Sequence, residues 1–322
     1  MNHDISRRIF ISSVAAGSFS LAHAQGESAR PIRVIVPFGP GGGSDPPARF
    51  FGARLAEALR QPVVVENRAG GISGSIGAMA VKSAPADGHT LLVASLSPMV
   101  INPIVVKDLP YDPLKDFKPV AGLTRTTNAV VVPANSPYQD LGALVKASRA
   151  NSHLNAGGSS ALFQLGAAWF ASLAGFKFTY APYKSVGQVL TDVGGGSLDW
   201  AFVDLGGALP LAKAGRIRVL GTTGAERHRS LPDVPTVLES GWKDFVFHSW
   251  ITFHVRSETP PEATQRLVDA MRPIVLSDAA RDFAQRADAE LFPLRPEELL
   301  RHQREEFLRF QRVAEAAGIK AQ

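Results

Sequence analysis

Pro31-Ile32-Arg33-Val34-Ile35-Val36-Pro37-Phe38, followed at once by Gly39-Pro40-Gly41-Gly42-Gly43-Ser44-Asp45, is a short apolar run closed by a polyglycine turn, and a helical pattern over residues 48–59 comes next. The run reads as a strand. A glycine-rich turn between a strand and a helix N-terminus bares backbone N–H groups at the positive end of the helix dipole, which suits a bound anion. One tight turn does not require three glycines in a row. This loop is therefore where a small acidic ligand is expected.

Outward from it, β-rich runs at 63–66, 90–94 and 129–132 alternate with helical patterns at 75–83, 141–148 and 163–173. Strand–helix alternation of this kind predicts an α/β fold with a mostly parallel sheet. Further strands are expected at 200–203 and 219–222. From Pro260 onward the chain reads as charged amphipathic helices broken at Pro273, Pro293 and Pro296. No internal repeat is visible.

The 322 residues suffice for about two domains, and the balance of apolar and charged side chains is that of a globular protein. There is no cysteine, so disulfides, thiolate metal sites and thiol catalysis are excluded. The formal charge is +5, but lysines and arginines are scattered without a basic block or interleaved aromatics, which argues against a nucleic-acid partner. The N-terminus reads as an export signal, residues 1–24: Arg7-Arg8, an apolar stretch over 9–21, then Ala22-His23-Ala24 before Gln25. Ser6-Arg7-Arg8-Ile9-Phe10-Ile11 is similar to the twin-arginine consensus, with an ordinary secretory signal as the other reading. Either route places the mature chain in the periplasm, beginning near Gln25.

Several segments together carry a family resemblance. Pro37-Phe38 with Gly41-Gly42-Gly43-Ser44-Asp45 and Ala48-Arg49, then Val64-Val65-Glu66-Asn67-Arg68 and Asp87-Gly88-His89-Thr90-Leu91-Leu92, open the series. Leu109-Pro110-Tyr111-Asp112-Pro113, Ala181-Pro182-Tyr183-Lys184 and Leu231-Pro232-Asp233-Val234-Pro235-Thr236 continue it in order. The set resembles the periplasmic substrate-binding proteins of tripartite tricarboxylate transporters, the Bug family, over nearly the whole mature chain. Each piece is short; their collinearity is what is specific.

The resemblance implies a two-lobed periplasmic-binding-protein type II fold with a ligand cleft between the lobes. Residues 25–123 would form the first part of lobe 1, 124–245 lobe 2, and 246–322 the return to lobe 1 and the C-terminal helices. It implies a non-catalytic, cofactor-free monomer that captures a small carboxylate: a di- or tricarboxylate, an aromatic acid or an acidic amino acid. Delivery would be to a membrane permease. A sensor that reports to a membrane receptor is the alternative, since both roles use closure of two lobes on a ligand.

On this reading Phe38, Gly39, Gly41, Gly42, Gly43, Ser44 and Asp45 form the first ligand loop. The second lies within Ala156-Gly157-Gly158-Ser159-Ser160-Ala161, with Gly158, Ser159, Ser160 and Ala161 as its contacts. Ser159 and Ser160 also read as N-caps, a duty compatible with ligand contact because a helix start has several orphan N–H groups. Asp45 reads first as a cap for its helix and second as a polar group near the ligand. Ser95, Ser97 and Asp204 stand at strand ends, where ligands gather in open α/β sheets, and resemble the family's variable distal contacts. For Asp204 a solvent-facing loop is the competing expectation. Two departures stand out. Pro46-Pro47 replaces an ordinary pair and has no N–H to donate, leaving Gly42, Gly43 and Ser44 as donors, and Gln164 stands where many relatives carry His.

A secreted hydrolase is the rival class. The chain has no phosphate loop ending in Gly-Lys, no His-Glu-x-x-His and no Gly-x-Ser-x-Gly elbow, and its histidines lack ligand spacing, so neither a catalytic residue nor a metal site is expected. A triad assembled from distant positions is the form such an enzyme would need.

Overall fold

A computed structural model describes residues 30–150 and 154–321. The expected export signal and its cleavage point after Ala24 lie outside the described residues. Strand β1 (Ile32–Val36) is almost wholly buried and lies between β2 (Val63–Asn67) and β3 (Thr90–Ser95), parallel to both. Helices α1 (Asp45–Leu59) and α2 (Ser75–Lys82) make the crossovers. α1 opens through Pro46 and Pro47, whose missing N–H groups cost little in a first turn, and ends at Arg60 in the left-handed conformation, φ 50°. Two single-turn helices, α3 (Asn102–Val105) and α4 (Pro113–Asp116), lead into β4 (Phe117–Pro133).

The second half repeats the plan. In order come α5 (Leu141–Ala150), β5 (Asn155–Gly158), α6 (Ala161–Ala174), β6 (Thr179–Pro182) and α7 (Val186–Gly194). They are followed by β7 (Trp200–Asp204), α8 (Leu205–Lys213) and β8 (Ile217–Thr222). The chain then returns along β9 (His248–Arg256) and finishes with α9 (Pro261–Val275), α10 (Asp278–Arg286), the short β10 (Glu290–Leu291) and α11 (Pro296–Ala316).

The ten strands form one curled sheet whose main path is β2-β1-β3-β9-β4-β7-β5-β6. The outer pairs are parallel, as expected from the strand–helix alternation. The centre is not: β9 runs antiparallel to both β3 and β4, and β4 antiparallel to β7 and β8. The physical reason is the route of the chain. β4 carries it out of the first lobe and β9 carries it back, so the two crossing strands must oppose each other. They pair from Phe117↔Arg256 to Thr127↔His248, after which β4 continues against β7 and β8.

Two apolar clusters are each confined to one lobe, and a third is shared between both. α11 lies over that shared core: Phe310, fully buried, meets Trp169 of α6 and Phe247 edge-on at 6.0 and 5.5 Å. Aromatic pairs in this geometry contribute beyond their buried area. α9 runs through Pro273 and stops at Val275, so this proline falls in the last turn rather than breaking a helix, whereas Pro296 opens α11 as its first residue.

Candidate ligand-binding cleft

The first loop is built from inside by Asp45. Its position as first residue of α1 would suit a cap, yet it caps nothing there. Oδ2 accepts from the backbone N–H of Gly41 at 3.1 Å and from Arg49 Nε at 3.0 Å, and Oδ1 accepts from Asn67 Nδ2 at 3.0 Å. Asn67 Nδ2 also donates to the Phe38 carbonyl at 3.1 Å, tying β2 to the loop. Asp45 is 6% exposed, and the guanidinium of Arg49 beside it holds its carboxyl below the usual range. The turn requires φ +75° at Gly41, a conformation that glycine adopts without penalty. Among the described residues, the N–H groups of Gly43 and Ser44 have no acceptor, whereas that of Gly42 reaches back to the Gly39 carbonyl at 3.4 Å. Those two amides stand next to the start of α1.

The second loop begins at Ser159, three residues later than its composition suggests, because Ala156, Gly157 and Gly158 are strand, paired with β6. Gly158 is required by close approach: a Cβ there would stand 2.6 Å from the Tyr180 hydroxyl, which donates to the Ser160 carbonyl at 3.3 Å. Burial raises the Tyr180 phenol's pKa, so the hydroxyl stays protonated and able to donate. Ser160 is extended, φ −164° and ψ 165°, at the N-cap of α6, but its hydroxyl makes no capping bond. The cap duty expected of it is therefore not performed, and the first turn of α6 keeps its orphan N–H groups.

Both loops open on one cleft of about 540 Å³. Of the residues singled out from sequence, Phe38, Gly42, Gly43, Ser44, Ser95, Ser97, Ser160 and Asp204 line it, as do Pro46 and Pro47. Gly39, Gly41, Asp45, Gly158, Ser159 and Ala161, also singled out, are not among the lining residues, and Asp45 is buried. Asp204 is not a solvent-facing loop residue. It ends β7, pairs with Asn128 in register, and accepts from the N–H of Gly206 at 3.1 Å as the N-cap of α8. Burial pushes its carboxyl above the ordinary value, against the lowering effect of the Gly206 and Gly207 amides. Gln164 faces a different groove, with Tyr180 and Ile319.

The sequence placed no site residue on the crossing strands. Thr124, Arg125 and Thr126 of β4 and Ser249, Trp250 and Ile251 of β9 line the cleft floor. The polar run Thr124-Arg125-Thr126-Thr127-Asn128 between two apolar stretches was the available signal. Arg125 pairs with Glu290 at 2.7 Å, and Ser73, Leu162, Phe163, Val186, Phe283 and Asp288 complete much of the wall. A groove of about 670 Å³ on the flank, bordered by Lys82, Tyr111 and Phe307, is larger, but neither loop reaches it.

The crossing strands and the cleft with a helix N-terminus from each lobe define a two-lobed solute-binding protein of the periplasmic-binding-protein class. Residues 48–319 match the model of the tripartite tricarboxylate transporter family receptors, and the chain belongs to that family. It is 34% identical over 265 residues to BugT of Bordetella pertussis, covering 79% of this chain and 78% of that one. Among solved structures it is similar to R. palustris Rpa4515 with adipate, at 31% identity and TM-score 0.80, over 91% of this chain and 99% of that one. It is also similar to MatC from Rhodopseudomonas palustris with bound malate, at 27% identity and TM-score 0.75, over 88% and 98% of the two chains.

Proposed function

We propose that the protein captures a small carboxylate in this cleft and delivers it to a membrane permease. The observation that carries the reading is the pairing of two built anion loops across one cavity: unpaired amides at Gly43 and Ser44 on one side, and the uncapped start of α6 at Ser160 on the other. Two helix dipoles and their orphan N–H groups then hold one carboxylate without a dedicated arginine. Malate and adipate in the related solved structures are both carboxylates, which supports the ligand class.

In this reading Pro46 and Pro47 stiffen the start of α1, and the turn before them supplies the donors. Gly39, Gly41 and Asp45 shape the first loop, and Gly158, Ser159 and Ala161 the second. Residues 25–123 and 246–322 act as one lobe and 124–245 as the other, closing as a non-catalytic monomer around the ligand. Among the described residues no helix is long and apolar enough to cross a membrane. The working compartment is the periplasm, reached after cleavage near Ala24 and Gln25.

A thermal-shift screen of the mature chain against dicarboxylates, tricarboxylates, aromatic acids and acidic amino acids tests the reading. At a hundredfold excess over Kd, a ligand of the folded state adds about 2.7 kcal/mol of stability. A flat response to every acid, alongside turnover of an ester substrate, would overturn it.

A further inference from the structure

The strand order gives the cleft two chemically different ends. β1 and β5, whose carboxyl ends carry the two anion loops, each stand one strand away from the crossing pair. β3 and β7, ending at Ser95 and Asp204, lie directly against β9 and β4, with Ser95 opposite Ile251 and Asp204 opposite Asn128. Neighbouring strands are spaced by about 4.8 Å. A molecule whose carboxylate rests between the loops therefore extends its other end toward Ser95, Asp204 and the crossing strands.

Two properties of the lining then bear on what that other end is. The walls are largely apolar and aromatic: Phe38, Leu96, Phe163, Trp250, Ile251 and Phe283. The lining charges offer a second anion no free counterion. Among the described residues lining the cleft, Arg125 is the one cationic side chain, and its guanidinium is already engaged by Glu290 through Nε at 2.8 Å and Nη2 at 2.7 Å. Asp204 and Asp288 are both acidic. Asp204 caps α8 through the Gly206 N–H, and a carboxylate oxygen has acceptor capacity beyond one such bond.

We infer that the cleft is selective for a monocarboxylate on an uncharged, aromatic body that carries one hydrogen-bond donor, a hydroxyl or an amine, at its far end for Asp204, and that Asp204 excludes a second carboxylate there. The inference rests on the carboxylate reading above and narrows it. Bringing two like charges together in a partly desolvated site is unfavourable, and burying Asp204 under a ligand without a donor leaves the acceptor capacity beyond its helix cap unfilled. A donor at that point relieves both costs. The raised pKa of Asp204 is consistent with a carboxyl that already lacks compensation by a cation.

Calorimetric titration of the mature protein with para-hydroxybenzoate, benzoate, adipate and citrate tests this. Para-hydroxybenzoate is expected to bind at least tenfold more tightly than benzoate, and adipate and citrate more weakly than either. In Asp204→Asn the charge is gone but the helix cap is kept, since Asn caps as well as Asp. That variant should lose about tenfold for para-hydroxybenzoate and gain at least as much for adipate. Adipate or citrate binding the unmodified protein more tightly than the aromatic acids overturns the inference while leaving carboxylate capture intact. An unchanged ligand ranking in Asp204→Asn overturns the role given to Asp204. No binding of any of the four, with no thermal shift in the wider acid screen, overturns both readings.

Discussion

Asp45 Oδ2 accepts the backbone N–H of Gly41 at 3.1 Å, so the carboxylate that begins α1 holds the glycine turn in front of it from below. The same carboxylate pairs with Arg49 and Asn67, which makes one buried side chain the junction of loop, helix and neighbouring strand. An acid placed beside an anion site would repel its ligand. Here the charge is spent on Arg49, and the loop's free amides at Gly43 and Ser44 remain for the ligand.

Asp45→Ala is expected to destabilise the protein by about 1–3 kcal/mol, because it leaves buried donors without an acceptor. It should also weaken carboxylate binding, since the turn loses its anchor. The Asp45 pKa is depressed in the fold, so this contribution is present above the ordinary carboxylate range and lost as the pH falls through the lowered value. Chemical denaturation and calorimetric titration of the variant measure the two effects. Undiminished affinity would show that the loop holds its shape without Asp45.

Ser160→Ala separates ligand contact from capping. The hydroxyl makes no capping bond, so stability should change by no more than about 0.5 kcal/mol, against about 1 kcal/mol for a working cap. Affinity should drop about fivefold to tenfold if the hydroxyl donates to the carboxylate. A stability loss near the full capping value with unchanged binding would assign Ser160 to the helix alone.

Glu306 lies in the interior, 5% exposed, with Arg309 at 2.6 Å; Arg309 in turn stands 5.0 Å over the ring of Trp169. Burial pushes the Glu306 carboxyl up to about 7, although Arg309 opposes the shift. The folded state therefore holds this proton more tightly than the unfolded chain. Its stabilising contribution is complete below the unfolded value near 4.5 and is lost as the pH rises through about 7, a change on the order of 3 kcal/mol. His248 and His254, depressed by burial to about 4 and about 3, act in the opposite direction: their contribution is present above 6.5 and lost as the pH falls. Subtracting the Glu306→Gln stability curve from that of the unmodified protein cancels the histidines. The difference should move against the unmodified protein between pH 5 and pH 8, and a pH-independent difference would rule the effect out.

Much of the first lobe was legible because its signals are local. The run before Gly39 is dense in β-branched residues, and α1 starts within three residues of its expected position. β5 was not legible. Asn155-Ala156-Gly157-Gly158 has almost no strand propensity and becomes a strand because β6 and β7 lie on either side to pair with it. β4 was read as a short strand at 129–132, whereas it begins at Phe117. Its polar middle, Thr124 to Asn128, is stabilised by the ladder to β9 rather than by its own composition.

The first-lobe strands and helices and the glycine turn were contained in the sequence because each depends on neighbours a few residues apart, and the family was contained in it through short segments in collinear order along the chain. Only the tertiary structure decided that Asp45 serves the loop and not its helix, that Asp204 faces a cleft, and that Thr124 to Thr126 and Ser249 to Ile251 form its floor. Asp45 is settled by the fold of its own loop, whereas the cleft floor depends on partners far away along the chain: Arg125 meets Glu290 across 165 residues, and β4 meets β9 through a returning strand. A side chain's role is set by what surrounds it, and in this fold the surroundings of the cleft come from both ends of the chain at once.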